Sequence, residues 1–299
     1  MAGICLTLDV GGSSIKYALI DSDRNLTHHG KVPSPHGSRS AHLDAMAGIY
    51  EQFRGQVEGI AISYPGIIDS EAGICKTTGA LELGLDFPLV QELEARCGVP
   101  VTVMNDAKAA ALAEASWGAL AGCADGVVIV LGTGIGGALI QDGKVRMGKH
   151  FSAGEFSTIS MDEHVETIEH TWCGLNGSSK LITTAAYAKG VDPAAINGED
   201  VFRWVNEGDP AVCMALDRFT AQLAVMIRNL QLIYDPERVV IGGGISQQPK
   251  LMESLQKNLD QLHRMAAIYG MPEAQVVTCK YYNDANLIGA YAYYVQRRG

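Results

Sequence analysis

Short apolar runs alternate with longer amphipathic stretches along this chain, and glycine, proline and aspartate punctuate them. Ile4–Val10 breaks at Gly11-Gly12 and resumes over Ile15–Ile20, which predicts two buried strands around a tight turn, closed by Asp21-Ser22-Asp23. A helix is expected between Ala41 and Phe53, then a buried strand over Val57–Ser63 that Pro65-Gly66 stops. Pro100–Met104 reads as a short strand running into Asn105-Asp106, after which an alanine-rich stretch to Trp117 predicts a strong helix. Beyond Gly118–Gly126 the pattern restarts. Val127–Leu131 is an apolar strand, a second glycine loop follows, and Ala138–Ile140 pairs with Val145 across Asp142-Gly143. A long helix from Pro210 to Tyr234 stops at Asp235-Pro236, and Val239–Ile241 opens onto Gly242-Gly243-Gly244. Helices are expected over Pro249–Met265 and Ala285–Arg298.

Strands alternating with helices predict an α/β fold. Both halves open on a glycine-turned hairpin and continue into strand and helix. We therefore expect duplicated domains, residues 1–118 and 119–299, with a cleft between them and the last helix a candidate to pack back on the first.

The 299 residues suffice for one large or two ordinary domains, and 47% hydrophobic with 19% charged residues is the composition of a globular protein. A net charge of −10, with Arg297-Arg298 as the only adjacent basic pair, argues against a nucleic-acid surface. No apolar run approaches the length of a membrane span and no export signal opens the chain, so no membrane partner is expected. The seven scattered cysteines lack a CxxC pair, which predicts reduced thiols in a cytoplasmic protein.

Candidate chemistry gathers at the glycine loops. Backbone N–H groups without side chains in the way can approach phosphate oxygens. Gly11, Gly12, Ser13, Ser14 and Lys16 offer this in the first loop, and Gly132, Thr133 and Gly134 in the second. Two such loops suggest one nucleotide held from both sides, although each alone is also an ordinary hairpin tip. Asp9, at the end of its strand, is placed to hold Mg²⁺ through water. Asp106 is a candidate to accept the proton of an attacking hydroxyl, with Asn105 beside it for a polyhydroxylated substrate; Asn-Asp is equally a common helix cap. Glu155 is either a second hydroxyl acceptor or a solvated charge. Glu163, His164, Glu166, Glu169 and His170 invite a metal reading, yet no third ligand is fixed by spacing, so an exposed acidic helix is expected there.

Taken together, these motifs make the chain resemble the ROK family of sugar kinases and sugar-responsive repressors. The resemblance implies the two-domain actin-like ATPase (ribonuclease H-like) fold. Asp9–Lys16 resembles the family's first phosphate motif and Leu131–Gly137 its second. Tyr64-Pro65-Gly66-Ile67-Ile68-Asp69 looks like its Pro-Gly-x-x-Asp loop, and Asn105-Asp106 falls where the family keeps a sugar-binding Asn and a catalytic Asp. Gly154-Glu155 resembles the start of Gly-Glu-x-Gly-His, and Asp235-Pro236 through Gly242-Gly243-Gly244-Ile245 the adenine-side segment. The resemblance thus implies ATP and Mg²⁺ as cofactors, a hexose held by Asn105, Glu155, Gly66 and Gly79, and a homodimer.

The family's structural zinc ligands are mostly replaced. Thr158 stands at the His position, only Cys173 remains in Thr171–Lys180, and Lys180 stands at the final Glu, so no zinc site is expected. In zinc-bearing relatives that His and Glu meet hydroxyls near the anomeric carbon. Their loss, with Thr77-Thr78-Gly79-Ala80-Leu81 similar to a segment of zinc-lacking β-glucoside kinases, implies room for a glycoside. The alternative is a non-catalytic sugar-sensing regulator. The repressors of the family carry a helix-turn-helix before the first phosphate motif, for which the residues ahead of Asp9 leave no room.

Overall fold

The computed structural model describes residues 3–163 and 166–298. The chain forms two compact units. The first comprises Met1–Gly118, Met147–Ala153 and Asn283–Gly299, and the second Ala119–Arg146 and Gly154–Tyr282. Two pieces of the second half, 147–153 and 283–299, thus belong with the first unit and not with a contiguous 119–299 domain.

In the first unit, β1 (Cys5–Val10), β2 (Ser14–Ile20) and β3 (Leu26–Pro33) form an antiparallel meander, followed by α1 (Arg39–Glu51) and β4 (Gly59–Tyr64). The short pair β5 (Ile68–Asp69) and β6 (Ile74–Cys75) precedes α2 (Leu89–Cys97), β7 (Val101–Asn105) and α3 (Asp106–Trp117). The sheet order is β3-β2-β1-β4-β7, with β1, β4 and β7 parallel. Every residue of β1 is buried because both sheet faces are covered. Leu6, Leu8 and Val10 enter a core with Leu43, Met46 and Ile49 of α1. The C-terminal helix Ala285–Arg298 packs on β1, β4, β7 and α3. Gly289 permits its close approach, since a Cβ there would fall on the Ala109 carbonyl of α3.

The second unit repeats the plan. β8 (Gly126–Leu131), β9 (Ile135–Gln141) and β10 (Lys144–Val145) form the meander, and α4 (Trp172–Asn176), α5 (Ser178–Lys189), α6 (Gly198–Asn206) and α7 (Pro210–Tyr234) precede β11 (Arg238–Gly242), α8 (Pro249–Ala267) and β12 (Val276–Thr278). The order β10-β9-β8-β11-β12 has the same two antiparallel and two parallel pairings as the first sheet.

Contrary to expectation, one apolar segment among the described residues is of membrane-spanning length. By length and composition, α7 is apolar enough to cross a membrane. Its apolarity has another physical use: Val212, Leu216, Phe219, Leu223 and Ile227 are buried in the core of the second unit.

Candidate active site

The first unit gathers its candidate residues at the C-terminal ends of β1, β4 and β7, the edge where parallel α/β sheets bind ligands. Asp9, only 8% exposed, is the second-last residue of β1, opposite Lys16. Its Oδ1 accepts from Ser63 Oγ at 3.1 Å and from Asn286 Nδ2 at 2.8 Å, while Lys16 Nζ stands 3.8 Å from Oδ2. The loop beyond it closes through Gly11 N–H donating to Ser14 O at 3.0 Å, leaving Gly12 and Ser13 exposed. Ser34 Oγ and His36 Nε2 donate to the Gly11 and Gly12 carbonyls on that loop.

Asn105 and Asp106 sit where β7 turns into α3. Asn105 is the N-cap: its Oδ1 accepts from Lys108 N at 3.1 Å. Its Nδ2 donates to Gly66 O at 2.9 Å and to Asp106 Oδ1 at 3.0 Å, so both amide protons are engaged within the chain. Ala107 N–H also donates to Asp106 Oδ1, at 2.8 Å. Capping and site geometry are therefore one arrangement: the buried amide that starts the helix also aims the half-buried carboxylate.

Gly66 has φ +99°, and a Cβ there would lie 2.5 Å from Thr77 O. The Pro65-Gly66 loop is stitched to the 77–81 segment by Ile67 N–H donating to Thr77 Oγ1 at 2.9 Å. Gly79 opens a short 3-10 turn, Gly79–Leu81, against Pro65. Asp9, Gly11, Gly12, Ser13, Lys16, Gly66, Gly79, Asn105 and Asp106 thus belong to one neighbourhood of the first unit.

The second unit holds the other set. Ser178 N–H donates to Gly132 O at 2.8 Å, which pins the second glycine loop to the α4–α5 junction. Cys173 Sγ lies 2.7 Å from where a Gly134 Cβ would stand, so Cys173 serves as packing behind Thr133-Gly134. Gly243, φ +91°, lies against the start of that loop; its Cβ would be 2.6 Å from the Leu131 carbonyl carbon. Gly244 opens a 3-10 turn fixed by Ser246 Oγ donating to Gly243 O at 2.7 Å. Gly132, Thr133, Gly134, Gly243 and Gly244 therefore form a second cluster. Glu155 is half-buried beyond β10, positioned by Gly154, whose φ is +81°, and Thr158 Oγ1 donates to its carbonyl at 3.4 Å.

The acidic stretch is not the expected helix. Ile168–His170 forms a 3-10 turn, and His170 Nδ1 pairs with Asp162 at 2.8 Å; His164 lies outside the described residues. Sequence reasoning did not single out Ser63, Asn286, Ser34 or His36. Each reaches the site through tertiary structure, and no local motif announces it.

Paired sheets of this order, each with a glycine-turned hairpin, define the actin-like ATPase fold, and comparison with known proteins narrows the class. The ROK family model matches residues 5–297, and the chain belongs to the ROK family. A β-glucoside kinase from Klebsiella pneumoniae is 30% identical over 290 residues, covering 96% of this chain and 95% of that one. An N-acetylmannosamine kinase from Salmonella typhi is 31% identical over 295 residues, covering 95% and 96%. Among solved structures, a ROK family glucokinase from Streptomyces griseus in complex with glucose and AMPPNP has a TM-score of 0.85 at 25% identity, covering 99% of this chain and all of that one.

Proposed function

We propose that this chain is an ATP-dependent sugar kinase that transfers the γ-phosphoryl group to the primary 6-hydroxyl of a hexose or β-glucoside. The observation that carries the reading is the Asp106 carboxylate, held by Asn105 and the Ala107 amide in the neighbourhood of the first phosphate loop. Asp106 accepts the hydroxyl proton as the sugar oxygen attacks. The new O–P bond forms, the bond from the γ-phosphorus to the bridging oxygen breaks, and ADP leaves with that electron pair.

In this reading Gly11, Gly12, Ser13 and Lys16 of the first unit contact phosphate oxygens. Gly132, Thr133 and Gly134 do the same in the second unit, with Gly243 and Gly244 toward the adenine. Gly66, Gly79 and Glu155 contact the sugar. Asn105, with both amide protons already used, acts on Gly66 and Asp106 and keeps only acceptor capacity for a hydroxyl.

Magnesium fits as a cation carried on the nucleotide. Among the described residues no three His, Cys, Asp or Glu side chains converge to cage a metal. Asp9 supplies a fixed carboxylate of the kind Mg²⁺ uses together with phosphates and water. When bound, the ion supplies charge neutralisation on the phosphates.

Glycoside preference is supported by the Klebsiella relative and by Thr158 and Lys180 standing where zinc-bearing relatives place anomeric contacts. The test is ADP release from Mg-ATP over glucose, mannose, fructose, N-acetylglucosamine, N-acetylmannosamine, cellobiose and aryl β-glucosides, with Asp106→Asn as control. Turnover on glycosides above free hexoses, lost in the variant, is expected. Turnover on a free hexose alone sinks the glycoside assignment. Sugar binding without turnover on any member sinks the kinase reading in favour of a silent sugar sensor.

A further inference from the structure

After β3 ends at Pro33, Ser34, Pro35 and His36 run as a strap beside the first glycine loop. Ser34 Oγ donates to Gly11 O at 2.6 Å, and its N–H to Ser13 O at 3.2 Å. His36 Nε2 lies 2.5 Å from Gly12 O, and because a carbonyl only accepts, Nε2 carries the proton. No peptide bond among the described residues is cis, so each carbonyl points opposite to the N–H of its own peptide unit. Drawing the Gly11 and Gly12 carbonyls toward the strap therefore turns the N–H groups of Gly12 and Ser13 the other way. Neither amide donates to any group among the described residues, and both residues are exposed. Successive outward N–H groups make an anion-binding concavity.

The strap is itself anchored. Buried His42 of α1 donates Nδ1–H to Pro35 O at 3.1 Å and accepts from the Tyr64 hydroxyl at Nε2, also at 3.1 Å. Tyr64 ends β4 immediately before the Pro65-Gly66 loop. One chain of contacts thus links that loop, through Tyr64, His42 and the strap, to the first glycine loop.

We propose that Ser34 and His36 are positioning residues for phosphate binding, holding the loop so that the Gly12 and Ser13 amides face a phosphoryl group. The proposal rests on the kinase reading for the identity of that anion, a nucleoside triphosphate. The test compares His36→Ala, His36→Gln and Ser34→Ala with the parent chain, by calorimetric titration of AMPPNP and of inorganic pyrophosphate and by separate KM values for ATP and sugar. Each lost bond is expected to weaken nucleotide binding and raise the ATP KM by roughly threefold to tenfold. The sugar KM and melting temperature should stay put, and His36→Gln, which keeps an N–H donor, should restore most of the loss. Unchanged nucleotide affinity in His36→Ala and Ser34→Ala, a glutamine variant as weak as alanine, or an equal rise in sugar KM overturns the proposal. If the parent chain binds AMPPNP but phosphorylates no sugar, the kinase reading fails while the affinity series still decides the strap. If it binds neither AMPPNP nor pyrophosphate, the strap proposal is refuted.

Discussion

Replacing Asn105 separates stability from chemistry in a way the structure quantifies. Its side chain makes three hydrogen bonds: a helix cap to Lys108 N, a bond to Gly66 O and a bond to Asp106 Oδ1. Losing a cap costs about 1 kcal/mol and each further bond a similar amount, so Asn105→Ala should destabilise the first unit by about 3 kcal/mol. For a unit of this size that is a fall of roughly 6–12 °C in melting temperature. Losing the orienting effect of the bond to the Asp106 carboxylate predicts a kcat lower by roughly tenfold to a hundredfold, about 1.4–2.7 kcal/mol on the barrier.

Asn105→Asp sharpens the test. It preserves the cap acceptor but turns the Nδ2 donor into an oxygen facing Gly66 O and the Asp106 carboxylate. Adjacent carboxylates oppose each other's ionisation, so the acid limb of the kcat–pH profile should move to higher pH, and further than in Asn105→Ala, where only the donated hydrogen bond is lost. The assays are thermal denaturation and coupled ADP release across pH, both at saturating sugar and ATP. Parent-like kcat in Asn105→Ala, or an unmoved acid limb in Asn105→Asp, would refute the argument that this amide aims the proposed catalytic carboxylate.

Gly243→Ala forces a Cβ onto the Leu131 backbone at φ +91°, and strain plus overpacking predict a loss of about 3 kcal/mol in denaturant unfolding; parent-like stability would show that the loop yields cheaply. Burial lowers the His42 pKa below its ordinary 6.5, so the unfolded chain takes up a proton that the folded one resists. Its contribution to stability is complete above pH 6.5 and declines as pH falls through the folded value, so melting temperature should drop on acidification and His42→Asn should flatten that slope. Burial pushes the Cys97 thiol up to about 11 and raises Cys5 and Cys75 further. A disulfide-exchange reagent at pH 8 should therefore label the half-buried Cys123, Cys173 and Cys213 in the native chain, with Cys5, Cys75, Cys97 and Cys279 reacting only after denaturation.

Elements whose apolar residues follow one period were legible in the chain. β1, β2, α3 and α7 lie within a residue or two of their expected places, because Leu-Thr-Leu-Asp-Val between glycines and an alanine-rich run after Asn-Asp each admit one reading. β3 was invisible because Thr27-His28-His29-Gly30-Lys31 is polar, as befits a strand at the sheet edge. α2 buries only Leu89, Leu93 and Cys97, too thin a stripe to stand out among its charges. At the site, glycines and carboxylates announced themselves through motif spacing. Their supports did not: Asn286 donates to Asp9 across 277 positions of sequence, a distance no local pattern spans.

The C-terminal helix also fixes an order of events during synthesis. The face of β1 that carries Cys5 and Thr7 is roofed by residues 285–298, and everything between 119 and 282 except 147–153 belongs elsewhere. A nascent chain can therefore finish its later-made lobe while the earlier-made one still waits on the ribosome with an apolar face uncovered. The piece that closes it, residues 285–298, is made only after that later lobe. A stop soon after Asp284 would leave the candidate motifs intact in the polypeptide and the lobe that carries Asp9 and Asp106 unfinished.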